Sequence, residues 1–167
     1  FAPEERLGHA AVANLNLLDN CLITDPKKRF QKKMGFIDFS ELNEYTNEII
    51  EKFNVKTTGV SALASSLSGG NLQKFVVGRE IGQKPALFIV NQPTWGVDAL
   101  SAANIRQAIV DIANNGAAII LISQDLDEIL EISNKVAFLT NGNLSIPTNT
   151  TDIKTDEIGA IMGGISD

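Results

Sequence analysis

The sequence predicts an α/β protein with a parallel sheet, joined to a region built from helices alone. Three observations carry that expectation. Two short apolar runs, Ala86–Val90 and Ala117–Ile122, flank an amphipathic stretch of helical length, the strand–helix–strand order of parallel strands covered on both faces. Before Leu63 the apolar residues recur at helical spacing, with no convincing buried strand. The chain has 167 residues, 44% of them hydrophobic and 20% charged. A single domain of that size can bury roughly 70% of its unfolded surface, so a true core is within reach.

Taken in order, Ala10–Leu22 is apolar with polar interruptions and reads as helical. Asp25–Lys33 is charged and reads as a solvated loop or helix surface. Ser40–Phe53 starts on a good N-cap, Ser40, and carries Leu42, Tyr45, Ile49, Ile50 and Phe53 at helical spacing. Gly70–Gln83 reads as a helix with Leu72, Phe75, Val76, Arg79 and Glu80 on successive turns. Ala86–Val90, behind Pro85, is the first strand. Ser101–Asn114 is an amphipathic helix stopped by Asn115-Gly116. Ala117–Ile122 is the second strand, Asp125–Ser133 a helix, and Val136–Leu139 a third strand followed by a hairpin turn at Asn141-Gly142-Asn143.

Composition removes several function classes. Acidic residues outnumber Lys plus Arg by 20 to 14, a net charge of −6, which argues against a nucleic-acid binder. The local exception is the basic run Lys27-Lys28-Arg29 with Lys32-Lys33, read as a solvated face, with lipid headgroups or a membrane subunit as alternatives. The longest apolar run, Ala117–Ile122, is far short of the ~20 residues that span a bilayer. The start, Phe1-Ala2-Pro3-Glu4-Glu5-Arg6, has no secretory pattern and no initiator methionine, which predicts an origin inside a longer protein. The single cysteine, Cys21, has no internal partner and fits a reducing compartment.

The sharpest local feature is Leu67-Ser68-Gly69-Gly70-Asn71-Leu72-Gln73-Lys74. A serine and two glycines opening a helix leave backbone N–H groups without internal partners, at the positive end of the helix dipole, where a phosphate can approach closely. A helix start capped by Ser68 after a flexible loop fits these residues equally well. Two further segments follow: Leu87–Asp98, which contains Asn91-Gln92-Pro93-Thr94-Trp95-Gly96-Val97-Asp98, and Ile119–Glu128, which contains Ser123-Gln124-Asp125.

In this order and spacing the three segments resemble the second half of an ATP-binding-cassette (ABC) nucleotide-binding domain of the simple-sugar and nucleoside importer type. The resemblance covers essentially the whole chain. Ser68-Gly69-Gly70 looks like the signature loop, extended by Asn71 and Gln73-Lys74. The strand ending at Asn91-Gln92 looks like the Walker B strand, Gly96-Val97-Asp98 like the D-loop, and Gln124 stands at the switch-histidine position. Ala2–Arg6 resembles the Q-loop segment of the second cassette, with Glu4 in place of the glutamine, and Glu157–Gly164 is similar to the C-termini of these importers. The implied fold is a partial P-loop NTPase (RecA-like) core with an all-helical ABC subdomain. Residues 1–66 would hold the Q-loop segment and helical subdomain, and 67–167 the C-terminal part of the core.

The departures from the family pattern carry equal weight. No Gly-x-x-x-x-Gly-Lys-Ser/Thr occurs, so the Walker A loop that cradles the β- and γ-phosphates is absent. The expectation is therefore a C-terminal fragment of a second cassette, inactive alone and a weak ATP binder. The aspartate that holds Mg2+ through water corresponds to Asn91, and the glutamate that polarises the attacking water to Gln92; neither amide ionises. Gln124 can donate to a phosphate but cannot titrate as a histidine does. With ATP and Mg2+ bound in the full-length pair, Ser68, Gly69, Gly70, Asn71 and Gln73 would complete the partner cassette's site and Asp98 would link the two sites.

The remaining residues have plainer readings. His9 is structural or solvated, Cys21 is a small core residue, and Trp95 is an interface or packing residue. Asp125 and Asp127 suit a helix's first turn. No zinc-type cluster and no serine–histidine pair is seen. The resemblance implies a cytoplasmic protein, peripheral on the inner face of the membrane. Its partners would be a second cassette, membrane-spanning permease subunits and, indirectly, an extracellular solute-binding protein. Ala10–Asp25, with Leu15 and Leu17, would receive a coupling helix. A non-catalytic regulatory cassette and a soluble non-transport ABC ATPase are the alternatives. A core without its P-loop strand is further expected to leave strand edges unpaired.

Overall fold

The computed structural model describes residues 1–25 and 29–153. Their packing divides into two units, one ending at Ile122 and one starting at Ser123.

The first unit opens with a segment that joins the sheet rather than a helix. Ala2 N–H donates to Ile89 O and Asn91 N–H to Ala2 O, both at 2.9 Å, a parallel bridge. The helix predicted over Ala10–Leu22 is confined to α1, Leu17–Ile23. Asn20, fully buried, is the reason. Its Oδ1 accepts from Val12 N at 2.8 Å, and its Nδ2 donates to Val12 O, Leu15 O and Asn16 O. Ala13 O and Leu15 O are taken by Ser65 N and Ala64 N. Much of the 10–15 backbone thus bonds to Asn20 and to residues 64–65 instead of forming a continuous helix.

Helix α2 runs Phe39–Lys52 and buries Leu42, Tyr45, Thr46 and Ile49, one helical stripe. Its cap is Asp38, not the predicted Ser40: Asp38 Oδ1 accepts from Ser40 N and Glu41 N at 3.2 Å. An aspartate two residues earlier satisfies two open N–H groups and places its charge at the positive end of the dipole.

Helix α3, Gly69–Gly82, is buried almost all round, from Leu72 to Arg79 and again at Ile81. It packs against α2 and against α4, Ala99–Asn114. Two glycines permit the α2 contact. A Cβ on Gly78 would lie 2.5 Å from the Phe53 ring, and one on Gly82 would lie 2.6 Å from Tyr45 Oη. Arg79, 2% exposed, donates to Ala10 O at 2.7 Å and to Asn20 O at 3.4 Å, and pairs with Glu80 at 2.8 Å.

Strand β1, Leu87–Asn91, pairs in parallel with β2, Ala118–Ile122, from Leu87↔Ala118 to Asn91↔Ile122. Phe88 and Val90 are fully buried. The expectation of a sheet covered on both faces fails at β2, where Ile120 and Ile122 are half exposed. Among the described residues β2 pairs with β1 alone, and its second edge makes no ladder. Helix α4 starts two residues before the predicted Ser101 because Asp98 caps it, and it ends at Asn115 with Gly116 at φ 96°, as expected.

In the second unit, α5 spans Leu126–Ile132 behind its cap Asp125. The strand predicted over Val136–Leu139 is split. β3, Lys135–Val136, pairs antiparallel with β6, Thr148–Asn149; β4, Leu139–Thr140, pairs antiparallel with β5, Asn143–Leu144. The split follows from a local contact: Phe138 N donates to Ser145 Oγ and Ser145 N returns a bond to Phe138 O. The hairpin turn stands where the sequence places it, with Asn141 and Gly142 both at positive φ, as a two-residue turn between twisted strands requires. Glu157–Gly164, Lys27 and Lys28 lie outside the described residues.

Candidate functional site

The first turn of α3 is the centre of the candidate site. Ser68 caps it from an extended conformation, and Ser68 and Gly69 are exposed. The N–H groups of Gly69 and Gly70 meet no acceptor among the described residues. A 14-residue helix aims its partial positive charge at this point. A phosphate-like anion therefore fits here on donor chemistry.

The opposite side of the same turn is fastened to the loop after β1. Gln73, 1% exposed, donates through Nε2 to Gln92 O at 3.1 Å and Pro93 O at 3.0 Å. A Cβ on Gly70 would lie 2.7 Å from Gly96 O, so the Gly96 backbone rests directly on the helix. Asp98 accepts from Ser101 N at 3.0 Å and Ser101 Oγ at 2.7 Å. These bonds from Ser101 hold the Asp98 carboxyl below the usual carboxylate range.

Asn91 ends β1, half buried, its N–H spent on Ala2 O. Gln92, buried, adopts φ 51° and turns the chain out of the strand. Its N–H donates to Ile122 O at 2.8 Å and its carbonyl accepts from Gln73 and Trp95 N. This pair offers two amides and no carboxylate, and the described residues contain no group of three His, Cys, Asp or Glu able to hold a metal. Mg2+ does not fit Asn91 and Gln92, since neither supplies the negative charge that a hard cation takes from protein oxygens.

The other residues singled out in the sequence take the following places. Glu4 is exposed, and its charge acts on Arg6. Gln124 is exposed and belongs to the second unit, next to the cap Asp125. Trp95 is 62% exposed, which removes a packing role. Leu17 is fully buried and is not a docking residue. His9 is exposed and pairs with Glu5 at 2.7 Å, while Cys21 is buried, its thiol pushed up to about 11 by desolvation. Two cavities of about 260 and 960 Å³, both lined by Tyr45, Gly82 and Lys84, include none of the motif residues.

Arg6 is the residue that sequence reasoning missed. Its Nε donates to Gln73 Oε1 at 2.8 Å and its Nη2 to Trp95 O, so one guanidinium ties the N-terminal segment, α3 and the 92–98 loop together. Desolvation lowers its pKa. The only available signal was a lone cation after Glu4-Glu5; its partners lie 67 and 89 residues away.

Known proteins are similar to this chain in sequence and in fold. The nucleoside import ATP-binding protein NupA of Lactococcus lactis subsp. cremoris is 34% identical over 97% of this chain and 32% of its own length. The chain is thus similar, along its whole length, to import ATP-binding proteins. A glucose import ATP-binding protein of Haloferax volcanii is 35% identical over 100% of the chain and 31% of its own length. A galactose/methyl galactoside import ATP-binding protein of Escherichia coli is 34% identical over 89% and 29%. The chain thus spans about a third of the length of the curated relatives it matches. No protein-family profile matches it. In fold, the cassette is similar to a putative metal-chelate type ABC transporter in an inward-facing conformation, with TM-score 0.73, 19% identity and coverage of 98% of this chain and 62% of that one. A dimeric ATP-binding cassette in a post-hydrolysis state, bound to ADP and Pi, matches at TM-score 0.70 and 18% identity over 89% and 63%. The partial P-loop NTPase fold is therefore established, with its helices and its small parallel sheet.

Proposed function

We propose that this chain is the C-terminal part of the second cassette in the ATP-binding subunit of an importer for simple sugars or nucleosides. In this reading it supplies a working signature loop to its partner's ATP site while its own Walker B side is non-hydrolytic. One observation carries the reading. The first turn of α3 is open and anion-ready, whereas the strand end beside it, Asn91-Gln92, has no ionisable group. The relatives named as nucleoside, glucose and galactoside import proteins support the solute class.

ATP supplies the anionic γ-phosphate that joins the two halves. Ser68 and the N–H groups of Gly69 and Gly70 bind it, and Gln73 orients the turn. Asp98 links the paired sites, and Gln124 contributes a neutral donor at the switch position. Mg2+ belongs with the partner's carboxylates. Closure driven by ATP biases the membrane-spanning permease subunits, since ATP contacts both halves and its hydrolysis removes that preference. The extracellular solute-binding protein acts through those subunits. Residues 1–66, with Glu4 in the Q-loop segment, form the side that meets the permease; exposed Val12 and Ile23 with half-buried Leu15 form the surface for its coupling helix. No helix among the described residues is long and apolar enough to cross a membrane, and a peripheral place on the cytoplasmic face is part of the same proposal.

The test uses the full-length protein. Ser68→Ala lowers ATP hydrolysis about 10- to 100-fold, the size of a lost hydrogen bond to a charged group. Asn91→Asp with Gln92→Glu raises hydrolysis by activating the second site. Unchanged hydrolysis in both variants refutes the proposal; an effect of Ser68→Ala without any gain from the double substitution leaves a purely regulatory second site as the surviving reading.

A further inference from the structure

The amide of Asn71 has only one orientation open to it. Lys56 N–H donates to Asn71 Oδ1 at 2.8 Å, and a backbone N–H can face only the oxygen of a carboxamide. Asn71 Nδ2 is thereby directed at Ser68 Oγ, 2.8 Å away. The Ser68 hydroxyl also accepts from Asn71 N at 3.5 Å. A serine hydroxyl has two lone pairs and one proton. With both lone pairs facing Asn71, the proton points away from α3, and no acceptor among the described residues takes it. The 54–56 segment that sets this orientation is itself pinned. Lys74, buried and one turn along the same helix face, donates through Nζ to Asn54 O at 2.8 Å, and Asn54 sits at φ 49°.

We propose that Asn71 is a positioning residue that aims the Ser68 hydroxyl proton outward as a ready donor to the γ-phosphate of ATP, with the Asn54–Lys56 segment as its lock. The inference rests on the signature-loop reading above and adds the device that sets the donor. An unguided serine hydroxyl rotates among three wells and can spend its proton on a neighbouring acceptor. Here the rotor is set before the nucleotide arrives, and no reorganisation accompanies the contact.

A double-substitution cycle in the full-length protein, read by ATP hydrolysis, tests it. Ser68→Ala lowers hydrolysis about 10- to 100-fold and Asn71→Ala about 3- to 10-fold. In the Ser68→Ala background Asn71→Ala has no further effect, because the group it orients is gone. Asn71→Asp is the second variant. It keeps an acceptor for Lys56 N–H and hence the lock, but its second oxygen captures the hydroxyl proton. Its loss is therefore larger with Ser68 present than with Ser68→Ala, and thermal unfolding stays within about 2 °C of the parent. Equal factors for either Asn71 substitution in both backgrounds assign Asn71 a purely structural role and overturn the inference alone. No effect of Ser68→Ala overturns the signature-loop reading, and the inference with it.

Discussion

Replacing Gly70 by alanine probes the contact between the first turn of α3 and the 92–98 loop, and the structure supplies its own control at Gly69. The new Cβ at Gly70 would lie 2.7 Å from Gly96 O, about 0.7 Å inside the 3.4 Å at which ordinary contact begins. The obstacle is backbone and has little room to yield. Gly96 sits at φ 71° in a loop held by Arg6 on Trp95 O, by Gln73 on Gln92 O and Pro93 O, and by the Asp98 cap of α4. Overpacking of this kind costs about 1–3 kcal/mol, and the gain from replacing a helical glycine offsets up to about 1 kcal/mol. The expected net loss is therefore between about 0 and 3 kcal/mol. At Gly69 the Cβ would meet Arg6 Nη1 at 2.9 Å, the end of a side chain that can shift by a few tenths of an ångström while keeping its bonds to Gln73 and Trp95, so the loss there is smaller than at Gly70. Urea unfolding of the chain, followed by far-UV circular dichroism, measures both. A Gly69→Ala variant less stable than Gly70→Ala, or two equal losses, refutes the reasoning. On the proposed function, Gly70→Ala in the full-length protein also displaces the 96–98 segment, and hydrolysis falls about 100-fold for a shift approaching 1 Å.

Arg79→Met removes a buried guanidinium and leaves Ala10 O, Asn20 O and Glu80 without its donors. The expected destabilisation is about 3–5 kcal/mol, and adding Glu80→Gln recovers part of it; calorimetry of the two variants checks the order. Asp98 has a carboxyl held low by Ser101, so it contributes stability above its unfolded pKa of about 3.9, lost as pH falls through the lower folded value. Ser101→Ala therefore raises the Asp98 titration seen by carbon NMR, and its stability deficit at pH 7 shrinks below about pH 4. The Cys21 thiol, pushed up to about 11 by burial, resists iodoacetamide at pH 8 in the folded chain and reacts on unfolding in urea, as mass spectrometry of quenched samples records.

Local signals in the sequence placed the elements well where one short stretch decides the outcome. Ser68 before two glycines marks the start of α3, Asn115-Gly116 the end of α4, and Asn141-Gly142 the hairpin, since caps and turns are settled by the residues that form them. The apolar runs mark β1 and β2, and their parallel pairing follows from the helix between them. The order of motifs also contained the resemblance to import ATP-binding proteins, and that Asn91 and Gln92 carry no carboxylate is read from the sequence directly.

Tertiary structure decided what depends on partners distant in the chain. Ala10–Leu15 has the composition of a helix but lends its backbone to Asn20 and to residues 64–65, so propensity yields to long-range hydrogen bonds. Exposure of Ile120 and Ile122 is a matter of what covers β2, which an apolar run does not state. Arg6 reads as an ordinary surface cation until folding brings it to Gln73 and Trp95. The direction of the Ser68 proton is set by Lys56, fifteen residues before Asn71, through a carboxamide whose two ends are distinguishable only once both neighbours are in place. Sequence alone determined which groups are present and which chemistry is missing. Folding determined which of those groups meet, because hydrogen bonds reach about 3 Å whatever the separation along the chain.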